Sequence, residues 1–107
     1  MQEVRLKDED SPLDWLEPTE REVVKLLALG MTNEQIATRL GFRDRRAVSR
    51  TNGQIYAAWG LADSAEDEKT ARARVTLIYN SGRMIKWADD GTPRVRDAKD
   101  AWVPLVR

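Results

Sequence analysis

Five arginines fall within residues 32–56, and they are the side chains of this chain best suited to specific recognition chemistry. A guanidinium group presents a planar fork of N–H donors that matches a phosphate or the edge of guanine. The same stretch contains two acidic residues and no lysine, so its local net charge of +3 comes from arginine alone. The stretch therefore predicts contact with a polyanion through directed hydrogen bonds.

The residues around these arginines indicate two helices joined by a tight turn. Thr32 and Gln35 have the spacing of a capping box, which starts a helix. Gly41 can end that helix in the left-handed conformation, and Asp44 can cap a second helix over about 45–59. Apolar side chains recur at helical spacing in both helices. These predicted inward positions are Ile36, Leu40, Val48, Ile55 and Trp59.

The pair has the features of a helix-turn-helix, in which the second helix projects outward. Ala37 is small enough to let the two helices cross closely, and Phe42 can fill the corner between them. The sequence predicts that the second helix enters the major groove of duplex DNA, since its outer side combines bidentate donors with compact cations. That side is predicted to carry Arg45, Arg46, Ser49, Arg50, Asn52, Gly53 and Gln54.

Two further helices complete the predicted fold, which is all-α. Pro18 suits the first position of a helix, and Gly30 lies just past its end. A fourth helix follows the acidic stretch 63–68 and stops at Gly82. The predicted buried positions of these two helices are Val23, Val24, Leu26, Leu27, Ala71, Val75 and Ile78.

The chain divides into three predicted parts. Residues 1–15 form an acidic N-terminal arm, 16–85 form the four-helix DNA-binding domain, and 86–107 form a C-terminal extension. An Asp-Asp-Gly-Thr-Pro turn signal separates two strand-like pieces at 84–87 and 94–96, which predicts a short hairpin. The two tryptophans of the extension are too apolar for open solvent, so part of it should pack back or meet a partner.

Composition excludes several classes of function. The chain lacks cysteine and histidine, which removes disulfides, thiolate zinc sites and the commonest general base. Asp89 and Asp90 adjoin Gly91 and fit a turn better than a catalytic pair, and no glycine-rich phosphate loop appears. No apolar run suits a bilayer or a signal peptide. We therefore expect a cytoplasmic, non-enzymatic protein with no cofactor, no metal and no membrane partner.

The formal net charge of zero conceals a strong segregation of charge along the chain. Residues 23–62 and 71–107 each carry a net charge of +4, whereas 1–22 carry −5 and 63–70 carry −3. A neutral protein can still bind nucleic acid through one basic face, because salt screens charges beyond about 10 Å.

The stretch from about Leu16 to Ile85 resembles the LuxR or GerE type of DNA-binding domain found at the end of bacterial response regulators. LEPTEREVV is similar to that family's opening L-T-x-R-E-x-E-V-L, and GMTNEQIATRLGF to its G-x-S/T-N-K-E-I-A-x-x-L-x-I. AVSRTNGQIYAAWGL resembles its T-V-K-x-H-x-x-x-I-x-x-K-L-x-V, and GRMI its closing G-L-I. The resemblance implies a four-helix LuxR-type fold, transcription regulation by sequence-specific binding of double-stranded DNA, and a homodimer contact through the fourth helix.

The resemblance also assigns roles by position. It places Ser49, Arg50 and Gly53 where the family's third helix reads base edges. It places three other residues where the family grips phosphates, namely Asn33, Arg45 and Arg46. The complete predicted DNA-binding set is Asn33, Arg43, Arg45, Arg46, Ser49, Arg50, Gly53 and Gln54.

This chain departs from the family pattern at several of those positions. Arg43 is an insertion in the turn, and a leucine position holds Asn52. The family's lysine and histidine are replaced by Ser49 and Thr51. Gly53 lies inside a predicted helix, where glycine costs roughly 1 kcal/mol relative to alanine. Either the backbone approaches DNA closely there or the helix is locally weak.

A second interpretation is a protein interaction module, bacterial or phage-encoded. In it, the acidic arm and the tryptophan-rich tail bind RNA polymerase or another regulator, and the arginine-rich helix is only a solvated surface. Arg50→Ala separates the two interpretations. Direct readout predicts a loss of roughly 1–3 kcal/mol in specific DNA binding, whereas an interaction through the tail would be unaffected.

Overall fold

A computed structural model describes residues 11–61 and 67–105 of the chain. Most of the predicted acidic arm and residues 63–66 of the predicted acidic stretch lie outside the described residues. A short 3-10 helix, Pro12–Trp15, comes first. The α-helices that follow are α1 (Pro18–Ala28), α2 (Asn33–Leu40), α3 (Arg45–Ala58) and α4 (Glu68–Ser81). The strands are β1 (Lys86–Trp87), β2 (Pro93–Arg96) and β3 (Trp102–Pro104).

The predicted caps set the beginnings of α2 and α3. Thr32 Oγ1 accepts a hydrogen bond from the Gln35 amide at 3.1 Å, and Gln35 Oε1 accepts one from the Thr32 amide at 2.9 Å. At α3, Asp44 Oδ1 accepts from the backbone amides of Arg46 and Ala47 at 3.0 and 3.1 Å. Each cap satisfies amides that lack a partner within the helix, and is worth about 1 kcal/mol.

The turn between α2 and α3 reverses the chain in four residues. Gly41 has a φ of 77°, the left-handed conformation that glycine adopts without a Cβ penalty. The amides of Gly41 and Phe42 both donate to the Ala37 carbonyl, which closes the end of α2. Ala37 itself is buried, and half-buried Phe42 packs against the core beside it. The turn thereby fixes which side of α3 meets the core.

The apolar core lies between α1, α3 and α4. The predicted apolar stripe of α1 is buried. Also buried are Val48 and Ile55 of α3, Trp59 directly after α3, and Ala71, Val75 and Ile78 of α4. Trp59 Nε1 donates to the Pro12 carbonyl at 3.0 Å, which satisfies the buried indole and docks the 3-10 helix on the domain. In residues 11–61 and 67–105, no helix is long and apolar enough to cross a bilayer.

The C-terminal extension forms a three-stranded antiparallel sheet in the order β1-β2-β3. Strands β1 and β2 pair as an antiparallel hairpin in which Lys86 lies opposite Arg94, in the part of the chain where the sequence predicts a short hairpin. Strand β3 was not predicted, so the all-α class describes the helical body and omits this sheet. Three residues that include a proline give too short a pattern to indicate a strand. Val95 is buried against the core, which attaches the sheet to the helices.

Candidate nucleic-acid interface

The exposed side of α3 carries six of the eight predicted residues in two adjacent rows. Residues four positions apart lie one above the other on a helix. One row is therefore Arg45, Ser49 and Gly53, and the other is Arg46, Arg50 and Gln54. All six are exposed, and we call them the α3 outer surface. At a rise of 1.5 Å per residue they extend over roughly 13 Å along the helix axis.

The arginines of the α3 outer surface have no partner within the described stretches. Arg45, Arg46 and Arg50 form no side-chain hydrogen bond or salt bridge with any residue of 11–61 or 67–105, and the same is true of exposed Arg43 in the turn. The adjacent acid, Asp44, uses its carboxylate to cap α3. Among the described residues, therefore, nothing competes with an external anion for these guanidinium groups.

A groove of about 580 Å³ lies beside the α3 outer surface, where the N-terminal ends of α2, α3 and α4 meet. One of its two glutamates, Glu68, is paired with Arg72 at 3.1 Å, whereas Glu34 forms no salt bridge with a residue of 11–61 or 67–105. The rest of the lining combines Arg45 and Arg46 with neutral polar side chains and with apolar Met31. Its lining consists of Gly30, Met31, Thr32, Asn33, Glu34, Arg45, Arg46, Ser49, Glu68 and Arg72.

Asn33 lies in this groove and is tied to the protein interior. Its Oδ1 accepts hydrogen bonds from Asn52 Nδ2 at 3.1 Å and from Arg72 Nη2 at 2.6 Å. Arg72 Nη1 also donates to the Met31 carbonyl at 3.2 Å. The arginine thus fastens α4 to the start of α2, and Asn33 joins both to α3. Asn33 is half-buried and stands apart from the two rows of the α3 outer surface.

The predicted outward position of Asn52 is wrong. Its side chain is only 3% exposed. Asn52 follows Val48 by four residues and precedes Ile55 by three, so helical spacing places it on the inward stripe. In the family that the chain resembles this is a leucine position, as noted among the departures above, which agrees with burial. The spacing was the signal that could have located it, but its polar type suggested solvent.

Tyr56 is a second buried polar residue on the inner side of α3. It is 5% exposed, and its hydroxyl has no hydrogen-bond partner among the described residues, as is true of Asn52 Oδ1. Burial raises the pKa of Tyr56, and the nearby charge of Arg72 partly opposes that rise. Asn33, Asn52, Tyr56 and Arg72 form a polar cluster beneath α3, and the sequence interpretation did not anticipate it.

Gly53 has no structural requirement for glycine inside the protein. It lies within the continuous helix α3 rather than in a left-handed turn. A Cβ built on it would meet no atom of residues 11–61 or 67–105 within 4 Å. Since glycine within a helix costs roughly 1 kcal/mol relative to alanine, the position is destabilising and nothing in the described fold compensates for it. A partner that approaches the α3 backbone closely would account for the missing side chain.

Comparison with protein families, with curated proteins and with solved structures finds no match for this chain. Among the described residues, no group of three or more acidic side chains gathers as a metal site. The geometry of the α3 outer surface is therefore the basis for assigning a function.

Proposed function

We propose that this protein binds double-stranded DNA by inserting the α3 outer surface into the major groove. One observation carries the proposal: three exposed arginines on one helix surface have no partner among the described residues. Paired guanidinium N–H groups match the O6 and N7 acceptors of guanine, and the same groups bind phosphates. The major groove of B-form DNA is wide enough to admit an α-helix such as α3.

Within that class, the protein acts as a sequence-specific transcription regulator of the LuxR type. Arg50 lies in the middle of its row, so it is the best placed of the three arginines for a base edge, together with Ser49 and Gly53. Arg45 and Arg46, at the N-terminal end of α3, grip phosphates beside the groove. Their position at the positive end of the α3 dipole favours an anion there.

The oligomeric state of the regulator is proposed from the resemblance, as a homodimer through α4. Arg72 and Arg74 do not oppose that contact, because Arg72 is engaged with Glu68 and Asn33 and Arg74 lies 4.9 Å from the Trp87 ring centroid. The exposed positions of α4 include Lys69, Ala73 and Asn80. The DNA site of such a dimer should consist of two symmetric half-sites at a fixed spacing.

A selection of bound sequences from random duplex DNA, repeated at two salt concentrations, tests the proposal. We expect an enriched motif whose selection survives higher salt. A pure phosphate binder would instead give a steep salt dependence and no motif. Absence of enrichment at both salt concentrations would contradict sequence-specific binding.

Substitutions at Arg50 distinguish bidentate hydrogen bonding to a base edge from simple electrostatic attraction. On the selected duplex, Arg50→Ala should weaken binding by roughly 1–3 kcal/mol, and Arg50→Lys should recover little of it, because lysine lacks the bidentate fork. Lys25→Ala is the matched control, since Lys25 is an exposed cation on α1 outside the α3 outer surface. Full rescue by lysine would reduce Arg50 to a phosphate contact.

The protein interaction module has one observation in its favour. Trp15 is 54% exposed at the end of the 3-10 helix, an unusual exposure for so large an apolar side chain. Trp15→Ala should abolish binding to RNA polymerase or another regulator in that case, while leaving DNA binding unchanged. Loss of DNA binding in Arg50→Ala without any effect of Trp15→Ala would favour the α3 proposal.

A further inference from the structure

Asn52 is the one side chain of α3 that hydrogen-bonds another helix, among the residues that the structure describes. Its Nδ2 donates to Oδ1 of Asn33, the first residue of α2, at 3.1 Å. The hydrogen bond from Thr51 Oγ1 to the Ala47 carbonyl stays within α3. In the described part of the chain, the bond between Asn52 and Asn33 is therefore the directed side-chain contact that joins α3 to its neighbouring helices.

Arg72 of α4 holds the acceptor of that bond in place. Its Nη2 donates to the same Asn33 Oδ1 at 2.6 Å, and its Nη1 donates to the Met31 carbonyl at 3.2 Å. Its Nε is paired with Glu68, one turn earlier in α4, at 3.1 Å. All three nitrogens of the guanidinium group are thus engaged. The position of the oxygen that Asn52 binds is consequently set from both α2 and α4.

The apolar contacts of α3 select its rotation about its own axis less sharply. Val48 and Ile55 are fully buried, but burial of apolar surface is non-directional, so its free energy changes gradually with a small rotation. A hydrogen bond weakens steeply outside a narrow range of distance and angle. The bond of Trp59 to Pro12 lies beyond the end of α3 and has a four-residue 3-10 helix as its partner. Asn52 is therefore the residue within α3 best placed to fix its rotation.

Asn52 also destabilises the core that contains it. The side chain is 3% exposed, and its Oδ1 has no hydrogen-bond partner among the described residues. A buried acceptor without a partner is unfavourable, whereas an apolar side chain of similar size would avoid that penalty on the same inward stripe. In helical assemblies, one buried polar residue fixes the register of a helix and lowers stability. Asn52 has both properties of such a residue.

Arg50 lies on the opposite side of the same turn of α3. Two residues correspond to about 200° around a helix and about 3 Å along it, and Arg50 is exposed where Asn52 is buried. Side-chain atoms at the surface of a helix lie roughly 5–6 Å from its axis, so a rotation of about 20° displaces them by about 2 Å. An N–H···O hydrogen bond spans only about 2.7–3.2 Å. A bidentate contact of Arg50 with a base edge would not survive such a rotation.

From these contacts we infer that Asn52 is a positioning residue, which sets the rotation of α3 and thereby the specificity of Arg50 for its base pair. The inference rests on the proposed DNA binding by α3. It concerns a position at which this chain departs from the family it resembles, where leucine cannot hydrogen-bond. Phosphate contacts depend less on this rotation, because the phosphates attract cations independently of sequence. Asn52 therefore governs discrimination between sequences rather than affinity for DNA as such.

Two substitutions of Asn52 and one matched control test this inference. Asn52→Leu and Asn52→Ala both remove the bond to Asn33, but they change stability in opposite directions, since leucine fills the site and alanine leaves a cavity. Tyr56→Phe is the control, because it removes another unpartnered polar atom from the inner side of α3 without touching that bond. Circular dichroism checks that each variant keeps its fold.

Fluorescence anisotropy measures the specificity ratio of each protein. This ratio is Kd for a duplex changed at the base pair whose selection Arg50→Ala relaxes, divided by Kd for the selected duplex. One bidentate contact gives the wild type a ratio of about 5 to 150. Both Asn52 variants should bring the ratio close to about 1, with Kd for the changed duplex within about twofold of wild type. Tyr56→Phe should keep the wild-type ratio.

A merely structural role of Asn52 predicts a different result. A smaller folded fraction raises both Kd values by the same factor and leaves their ratio unchanged. A wild-type ratio in either folded Asn52 variant would thus overturn the positioning role and leave DNA binding by α3 in place. An equal loss of the ratio in Tyr56→Phe would overturn it as well, because the bond to Asn33 is intact there. A wild-type protein that enriches no motif overturns the proposed function, and the positioning role with it.

Discussion

Gly53→Ala should stabilise the folded protein and weaken its binding to DNA. Alanine is favoured over glycine by about 0.8–1.0 kcal/mol within a helix. The added Cβ meets no atom of the described residues within 4 Å, so no steric clash with them reduces that gain. A gain of about 1 kcal/mol should raise the midpoint of thermal unfolding by roughly 4–8 °C for a domain of this size.

The effect on DNA binding has the opposite sign. Gly53 lies on the α3 outer surface, in the row of Arg45 and Ser49. If the backbone lies against base edges there, the new methyl group forces α3 outward and disturbs the neighbouring contacts. Loss of one good base contact is worth roughly 1–3 kcal/mol, or about a 5- to 150-fold rise in Kd.

Thermal unfolding followed by circular dichroism, together with fluorescence anisotropy on the selected duplex, measures both effects in one variant. Lys25→Gly, compared with Lys25→Ala, provides the mirror control, because Lys25 is an exposed position within α1 and outside the proposed DNA and dimer contacts. It should lose about 1 kcal/mol of stability and keep its affinity for DNA. A Gly53→Ala protein that is more stable and binds DNA as well as the wild type would refute close approach at this position. A less stable one would refute the helix-propensity reasoning.

Three further substitutions test the inner side and the start of α3. Tyr56→Phe should raise stability by about 1 kcal/mol by removing an unpartnered buried hydroxyl. Since burial raises the folded pKa of Tyr56 above its ordinary value of 10.0, wild-type stability should fall as pH rises above 10.0, and urea unfolding of the variant should lack this fall. Asn52→Leu should also stabilise by about 1 kcal/mol in urea unfolding, because it removes an unpartnered Oδ1; a loss would mean that its bond to Asn33 is worth more. Asp44→Ala should cost about 1 kcal/mol in thermal unfolding through loss of the α3 cap, and an unchanged midpoint would contradict that role.

The sequence by itself determined the helices and the turn between α2 and α3. Thr32, Gly41 and Asp44 act through hydrogen bonds and backbone conformations that involve neighbours within a few residues, so their types and spacing are sufficient. The exposure of Arg45, Arg46 and Arg50 also followed from helical periodicity. Their lack of partners among residues 11–61 and 67–105 did not, since any acid distant in the chain could have met them.

Only the tertiary structure decided which residues lie beneath α3 and which side of the sheet faces solvent. Asn33 meets Asn52 and Arg72 across 19 and 39 residues of chain, and no local pattern indicates which distant polar groups will share a buried site. The side of the sheet that carries Lys86 and Arg94 depends on the burial of Val95 and on a third strand too short to be recognised alone. Local hydrogen bonds set the elements, whereas burial against distant residues selected their inner and outer surfaces.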